Sequence, residues 1–314
     1  MVSTLNLLKI KVMVLVKSEN GLNRKKRLLM EKVRENPKIT DKDFNRLGRF
    51  IEDKFGIRMP ASKKLMLQAR LQKRLRELGY NDFQEYVRYI FSNRGRDEIL
   101  KMIDEVTTNK TGFFREADQF EFLQTVVLPE LMKLKPRGRI VISIWSAGCS
   151  TGEEPYSIAI VMAEFANKHS GIDFEILATD LSRKVLQEAK LAIYKKKSIE
   201  PIPIWLRKKY LLKSKTGDEI YRLVPEIRAK VKFRRHNLMT ADNFMDKSFD
   251  IIFCRNVMIY FEQAKQKQLL MRFYQHLYPG GYLFLGHSET IVNFNLPFRR
   301  VKPKVYLKPF QSDQ

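Results

Sequence analysis

The chain has 314 residues, 44% of them hydrophobic and 11% aromatic, which is enough to bury a core in one large domain or two modest ones and argues against a disordered chain. Lysine and arginine number 59 against 35 acidic residues, a formal charge of +24 that would draw in an anionic partner: nucleic acid, acidic lipid or a carboxylate-rich protein surface. Only two cysteines occur, Cys149 and Cys254, each inside an apolar run, so a disulfide framework is not expected and a cytoplasmic, reducing compartment fits.

Residues 1–36 read as a basic extension. Leu5 to Val16 is apolar apart from Asn6, Lys9 and Lys11, much shorter than the ~20 residues of a membrane span. Lys17 and the Arg24-Lys25-Lys26-Arg27 cluster follow with no small-residue cleavage site, so neither membrane insertion nor secretion is expected, and Met30 is an alternative start. From Thr40 the pattern is helical: Thr40 and Asp43 have capping-box spacing, Phe44, Leu47 and Ile51 share a face, and Gly56 ends the element. A second helix carries Leu67, Leu71, Leu75 and Leu78 on one stripe, with Lys63, Lys64, Arg70, Lys73, Arg74 and Arg76 on an outer face that is almost wholly cationic. Asp82 and Glu85 open a third helix with Phe83, Tyr86, Val87 and Ile90 inward, and Ser92 to Asp97 breaks the pattern. The expectation is a helical domain over 37–92 and a linker over 93–107.

Over 108–314 short apolar runs alternate with amphipathic helices. The runs are Ile140 to Trp145, Phe174 to Thr179, Phe249 to Cys254 and Tyr282 to Leu285, a pattern for a parallel sheet covered on both faces. About residues 204–236 the pattern changes to Tyr210-Leu211-Leu212, a turn at 215–218 and Tyr221 to Val224, which predicts an inserted hairpin. There is no internal repeat.

Ile144 to Pro155 reads as a buried strand, a small-residue turn with Gly148 and Gly152, and a helix start. The turn is neither G-x-G-x-x-G nor a P-loop, which favours a ligand without phosphates over a dinucleotide or triphosphate. Asp180 closes the second run, where such folds hydrogen-bond a ribose diol; alone it reads better as a helix cap, but with the turn it points to an adenosyl ligand. Phe249 to Cys254 runs into Arg255, Asn256 and Tyr260, polar groups at the mouth of the sheet. In Thr107 to Arg115 the pair Phe113-Phe114 would bury the segment and hold Asn109, Thr111 and Arg115 beside a cleft.

Together TNKTGFFREA, WSAGCSTGEEPYS, ATDLS, FCRNVMIYF and GGYLFLGHSE resemble the CheR family of chemoreceptor glutamate methyltransferases over roughly residues 37–310. The resemblance implies a Rossmann-like α/β methyltransferase domain with an inserted small β-subdomain, preceded by a small all-α N-terminal domain. It implies S-adenosylmethionine (SAM) as cofactor, S-adenosylhomocysteine as product and the cytoplasmic domain of a chemoreceptor as partner. By it Asn109, Thr111, Arg115, Gly148, Glu154, Asp180, Asn237, Leu238, Arg255 and Asn256 would contact the cofactor, Tyr260 would sit beside the transferring methyl, and the basic second helix would face the receptor. Arg115 and Tyr260 are the candidates for holding the reacting groups; Arg115 could grip either the substrate or the cofactor carboxylate.

Joining a sulfonium to a carboxylate neutralises charge, so a site that excludes water should speed it, and a glutamate of ordinary pKa needs no general base. The rival readings are a nucleic-acid methyltransferase, which the charge would suit, and a non-catalytic SAM-binding regulator. Against the first, Arg255-Asn256-Val257-Met258 stands where enzymes acting on exocyclic base amines carry an Asp/Asn-Pro-Pro-aromatic motif. The four histidines and two cysteines show no paired ligand spacing, so no metal is expected, and a monomer is. Family members that dock on a receptor pentapeptide carry a Gly-x-Gly insertion in the hairpin loop. Lys213 to Asp218 lacks it, so that tether is not expected here.

Overall fold

A computed structural model describes residues 37–135, 138–240, 247–291 and 294–310; the extension expected over 1–36 lies outside them. Four helices form the N-terminal unit: α1 (Asp41–Phe55), α2 (Lys64–Leu78), α3 (Phe83–Ile90) and α4 (Arg96–Val106). The Thr40 hydroxyl accepts the Asp43 N–H at 3.1 Å to cap α1, and Asp82 accepts the Glu85 N–H at 2.8 Å to cap α3. Gly56 and Gly79, at φ 77° and 73°, end α1 and α2 in the left-handed region. The apolar stripes meet in one cluster that includes Leu47, Ile51, Leu67, Leu71, Tyr86 and Val87.

The linker expected over 93–107 is helix. After α3 the chain turns through Asn93–Gly95, and a Cβ on Gly95 would lie 2.2 Å from the Tyr89 carbonyl oxygen, so glycine is what lets it fold back. It resumes as α4, whose Met102, Ile103 and Val106 complete the helical core. The break in the pattern is a tight corner within the domain.

This helix also changes the reading of the cationic face. Arg74 is 8% exposed and turns inward, its Nε and Nη2 donating to Glu98 of α4 at 2.8 and 2.6 Å, with the Tyr86 hydroxyl on the same carboxylate at 3.1 Å. Position 74 flanks the Leu67-Leu71-Leu75 stripe, and a long cation there is buried once α4 supplies an anion. Arg70 donates to the carbonyls of Val106 and Thr107 and to the Thr108 hydroxyl, fastening α2 to the chain entering the second domain. Lys64 pairs with Asp41 at 2.7 Å and Lys73, though exposed, with Glu105 at 3.3 Å, while Arg76 is exposed.

The second domain begins with α5 (Ala117–Phe122) and α6 (Leu128–Leu134), joined by a π turn at Leu123–Val127. It continues as β1 (Ile140–Ala147), α7 (Glu153–Lys168), β2 (Ile172–Asp180), α8 (Arg183–Leu191), β3 (Ile193–Lys195), α9 (Lys196–Ile199), α10 (Ile204–Tyr210), β4 (Leu211–Lys213), β5 (Ile220–Leu223), α11 (Pro225–Ala229) and β6 (Val231–Arg235). Then follow β7 (Phe249–Cys254), α12 (Gln263–His276), β8 (Leu277–Leu285), β9 (Arg299–Lys302) and β10 (Val305–Leu307). The seven-stranded sheet has the order β6-β2-β1-β7-β8-β10-β9, parallel through β8 and antiparallel on either side of β10. Successive residues of β7 serve opposite cores: Ile251 and Phe253 pack with α7, Ile252 and Cys254 with α12. That is why its sequence is a continuous apolar run.

The expected insertion at 204–236 differs at both ends. The β4–β5 hairpin forms, but β3 adds to β5 from outside the expected range, making a three-stranded antiparallel sheet. Val231–Arg235 instead pairs with β2 as the outer strand β6 of the main sheet. Its Lys232 and Arg234 are the charges an edge strand carries, and they hid it from a search for apolar runs.

Candidate active site

A cavity of about 390 Å³ opens at the carboxyl ends of β1, β2 and β7, within the roughly 300–1,000 Å³ of ligand pockets. The N-terminal domain roofs it with Phe55, Ile57, Met59, Lys63 and Met66. Asn109, Thr111, Arg115, Gly148, Glu154, Asp180, Asn237, Leu238, Arg255, Asn256 and Tyr260 all line it. Lys63 is the one residue of the cationic face that does so; Lys64, Arg70, Lys73, Arg74 and Arg76 do not.

The turn after β1 is fixed by its backbone. Gly148 and Cys149 donate their N–H groups to the Thr179 carbonyl at 2.7 and 2.9 Å, drawing the turn over the end of β2. Gly148 sits at φ 84°, and a Cβ there would lie 2.4 Å from Val257 Cγ2, so the bare backbone forms the cavity floor. Asp180, at the end of β2, accepts the N–H groups of Ser150 and Ser182, each at 2.9 Å, one on each oxygen. Each oxygen keeps acceptor capacity for a ligand. Burial raises its pKa, and the backbone donors oppose that rise.

Glu154, in the first turn of α7, accepts the Ser146 hydroxyl at 2.7 Å. Burial raises its pKa against the lowering effect of Arg255. Arg255 is 6% exposed. Its Nη2 donates to the Arg115 carbonyl and lies 3.2 Å from Glu116 Oε2; its Nε lies 3.7 Å from Glu154 Oε2, and its guanidinium lies 5.4 Å from the Phe120 ring centroid. Arg255 is thus a buried strut between the segment around Arg115 and α7.

The segment 109–116 enters this site under strain. Phe113 is buried with its ring centroid 4.8 Å from that of Tyr194, and Phe114 donates its N–H to the Ser157 hydroxyl at 2.9 Å. Phe114 and Glu116 have φ of 49° and 60°, and Ser150 and Asn256 across the cavity have 49° and 59°. Four non-glycine residues in the left-handed region around one cleft mark a site where position outranks local preference. The result leaves the Arg115 side chain exposed, with Nη1 donating to the Lys110 carbonyl at 3.2 Å.

Tyr260 closes a turn after β7, and its carbonyl accepts the Arg58 N–H at 2.9 Å, so the N-terminal domain is clasped to the tyrosine's own backbone. Lys63 Nζ stands 5.8 Å from the Tyr260 ring centroid. Asn237 likewise spans the domains, its Nδ2 donating to the Lys54 carbonyl at 2.8 Å. Sequence reasoning missed Glu116 and the apolar roof. Nothing local connects Glu116 to Arg255, or Phe55 and Met66 to a site in the other domain. Cys149 and Cys254 are buried and unpaired, and burial pushes both thiols well up, which unsuits them as nucleophiles.

A parallel sheet with an acidic residue closing β2, a glycine-floored turn after β1 and no phosphate loop defines a Rossmann-like domain shaped for a nucleoside ligand. Comparison with known proteins gives the family: residues 109–307 match the model described as CheR methyltransferase, SAM binding domain, and residues 42–107 that of CheR methyltransferase, all-alpha domain. The chain is 39% identical over 277 residues to the chemotaxis protein methyltransferase of Borreliella burgdorferi, covering 87% of this chain and 96% of that one. It is 36% identical over 278 residues to chemotaxis protein methyltransferase 2 of Vibrio cholerae, covering 87% and 95%. With the chemotaxis protein methyltransferase of Escherichia coli it shares 34% over 279 residues, covering 88% and 94%. The chain belongs to the CheR methyltransferase family and is a SAM-dependent methyltransferase.

Proposed function

We propose that this enzyme methyl-esterifies glutamate side chains on the cytoplasmic domain of a chemoreceptor, acting as a cytoplasmic monomer. One observation carries the substrate reading: a cation from the helical domain, Lys63, stands 5.8 Å from the Tyr260 ring in the cavity wall. A carboxylate entering there meets a positive charge beside the tyrosine. Among the described residues no helix is long and apolar enough to cross a membrane.

The cavity suits SAM by its donor set: Asp180 for the ribose hydroxyls, Glu154 for the ammonium, the Gly148 floor for close approach, and Asn109, Thr111, Asn237, Leu238, Arg255 and Asn256 as walls. Bound SAM supplies a methyl group activated by a sulfonium. The protein's part is alignment and exclusion of water, since the substrate carboxylate is already ionised at neutral pH. Arg115 and Lys63 hold carboxylates, Tyr260 fixes the lateral position, and Phe55, Met59 and Met66 keep the roof dry. Exposed Arg76 on α2 extends the positive rim toward the receptor.

The test is peptide mass spectrometry of a receptor cytoplasmic fragment after incubation with enzyme and SAM. The expected result is a mass gain of one methylene confined to glutamyl residues, with kcat/KM falling on the order of a hundredfold in Arg115→Ala. Methylation of amino groups or of added RNA would overturn the proposal.

A further inference from the structure

We infer that Glu289 is a positioning residue for SAM-dependent methyl transfer, a buried anion that moulds the loop after β7 into the shape the cofactor requires. Its side chain reaches no substrate and acts through that loop. Glu289 is 4% exposed. Its Oε1 accepts the N–H groups of Val257 and Met258 at 2.9 and 2.7 Å, and its Oε2 those of Asn256 and Gly286 at 2.9 and 2.7 Å.

Three successive amides converging on one anion form a nest, and such a nest needs a residue in the left-handed region. Asn256, at φ 59°, supplies it. The strained residue is therefore stabilised from below by the carboxylate while its upper side lines the cavity. Gly286 makes the arrangement possible, because a Cβ there would lie 2.6 Å from Asn256 Nδ2 and 2.9 Å from Glu289 Oε2. β7 and β8 run side by side with Cys254 opposite Leu285, so the clasp ties their exits together directly beyond the last paired residues.

What the clasp holds is the working part of the site. The loop carries Arg255, the strut to Glu116 and Glu154; Val257, whose methyl lies against the Gly148 floor; and the turn that ends at Tyr260. A carboxylate fits all four donors because its two oxygens accept along about four lone pairs. An amide of the same shape would turn an NH2 toward two N–H donors and open the loop.

The inference rests on SAM binding and not on the identity of the methyl acceptor, so it is read on the cofactor. Full-length Glu289→Gln, Glu289→Asp and wild type would be compared by calorimetric titration with S-adenosylhomocysteine, at a temperature where circular dichroism shows each folded. The expected result is affinity at least tenfold weaker in Glu289→Gln and intermediate in Glu289→Asp. A variant that melts at lower temperature but keeps wild-type affinity for S-adenosylhomocysteine would show a purely structural role and overturn the inference. Should Glu289→Gln not fold, the same two outcomes are read on Gly286→Ala, whose Cβ would press on both Asn256 and the Glu289 carboxylate.

Discussion

Gly148 carries two constraints, a φ of 84° and a gap that Val257 Cγ2 would share with any Cβ at 2.4 Å. Gly148→Ala should cost about 1–3 kcal/mol of stability in urea unfolding and abolish measurable S-adenosylhomocysteine binding, because the loop after β7 must retreat from the floor. The two carboxylates proposed for the ligand, Glu154 and Asp180, both have pKa values raised by burial above the ordinary 4.5 and 3.8. A raised value means that protons are taken up sooner as pH falls. Cofactor affinity should therefore weaken at a pH above that at which exposed carboxylates titrate, and calorimetry across a pH series should show the limb flattened in Glu154→Gln. Asp180 is legible in the sequence as the acidic residue that closes the second apolar run, whereas the role of Glu154 comes only with the family resemblance. Glu116 is not legible, since its partner Arg255 is distant in sequence and only the folded sheet brings the two within 3.2 Å.

The helices show the same division. The apolar stripes of α1 to α3 are readable from their period, but the Gly95 corner interrupts the pattern ahead of α4, and without α4 nothing in the sequence turns Arg74 inward. Glu98→Gln should leave the buried Arg74 with the half-exposed Glu77 as its remaining charged partner and lower stability by up to about 3 kcal/mol, while replacing Arg74 and Glu98 together by apolar residues of similar size should be close to neutral. Thermal melts of the two variants check this. At the start of β2 the opposite titration holds: Asp173, bonded first by Lys230 and also by Arg139, has its pKa lowered to about 2. Its contribution is present above the unfolded value of 3.8 and is lost as pH falls toward 2. Acid melts of Asp173→Asn should accordingly show a smaller decline over that interval than wild type. Strands β7 and β8 were found as apolar runs buried on both faces, whereas β6, β9 and β10 lay outside those runs, being short or, as in β6, interspersed with cations.

The two domains meet over one cavity, and among the contacts that join them the Arg58 N–H to the Tyr260 carbonyl and the Asn237 side-chain amide to the Lys54 carbonyl lie at its rim, with Lys265 to the Glu52 carbonyl and the Arg183 N–H to Asp104 beyond it. Roof and floor are thus built by different domains, so the site exists only in the assembled chain. In the β-subdomain, Lys213 to Asp218 makes a short turn bonded to itself through Ser214, Thr216 and Asp218. Calorimetry with a free receptor pentapeptide should accordingly show no low-micromolar binding. The most direct test of the whole account is transfer of tritiated methyl from SAM to a receptor cytoplasmic fragment, read as volatile counts released by base, with RNA as a parallel substrate. Base-labile label on the receptor, absent from RNA and lost in Arg115→Ala, is the predicted result. Base-stable label on either substrate, or SAM binding with no transfer at all, would contradict it.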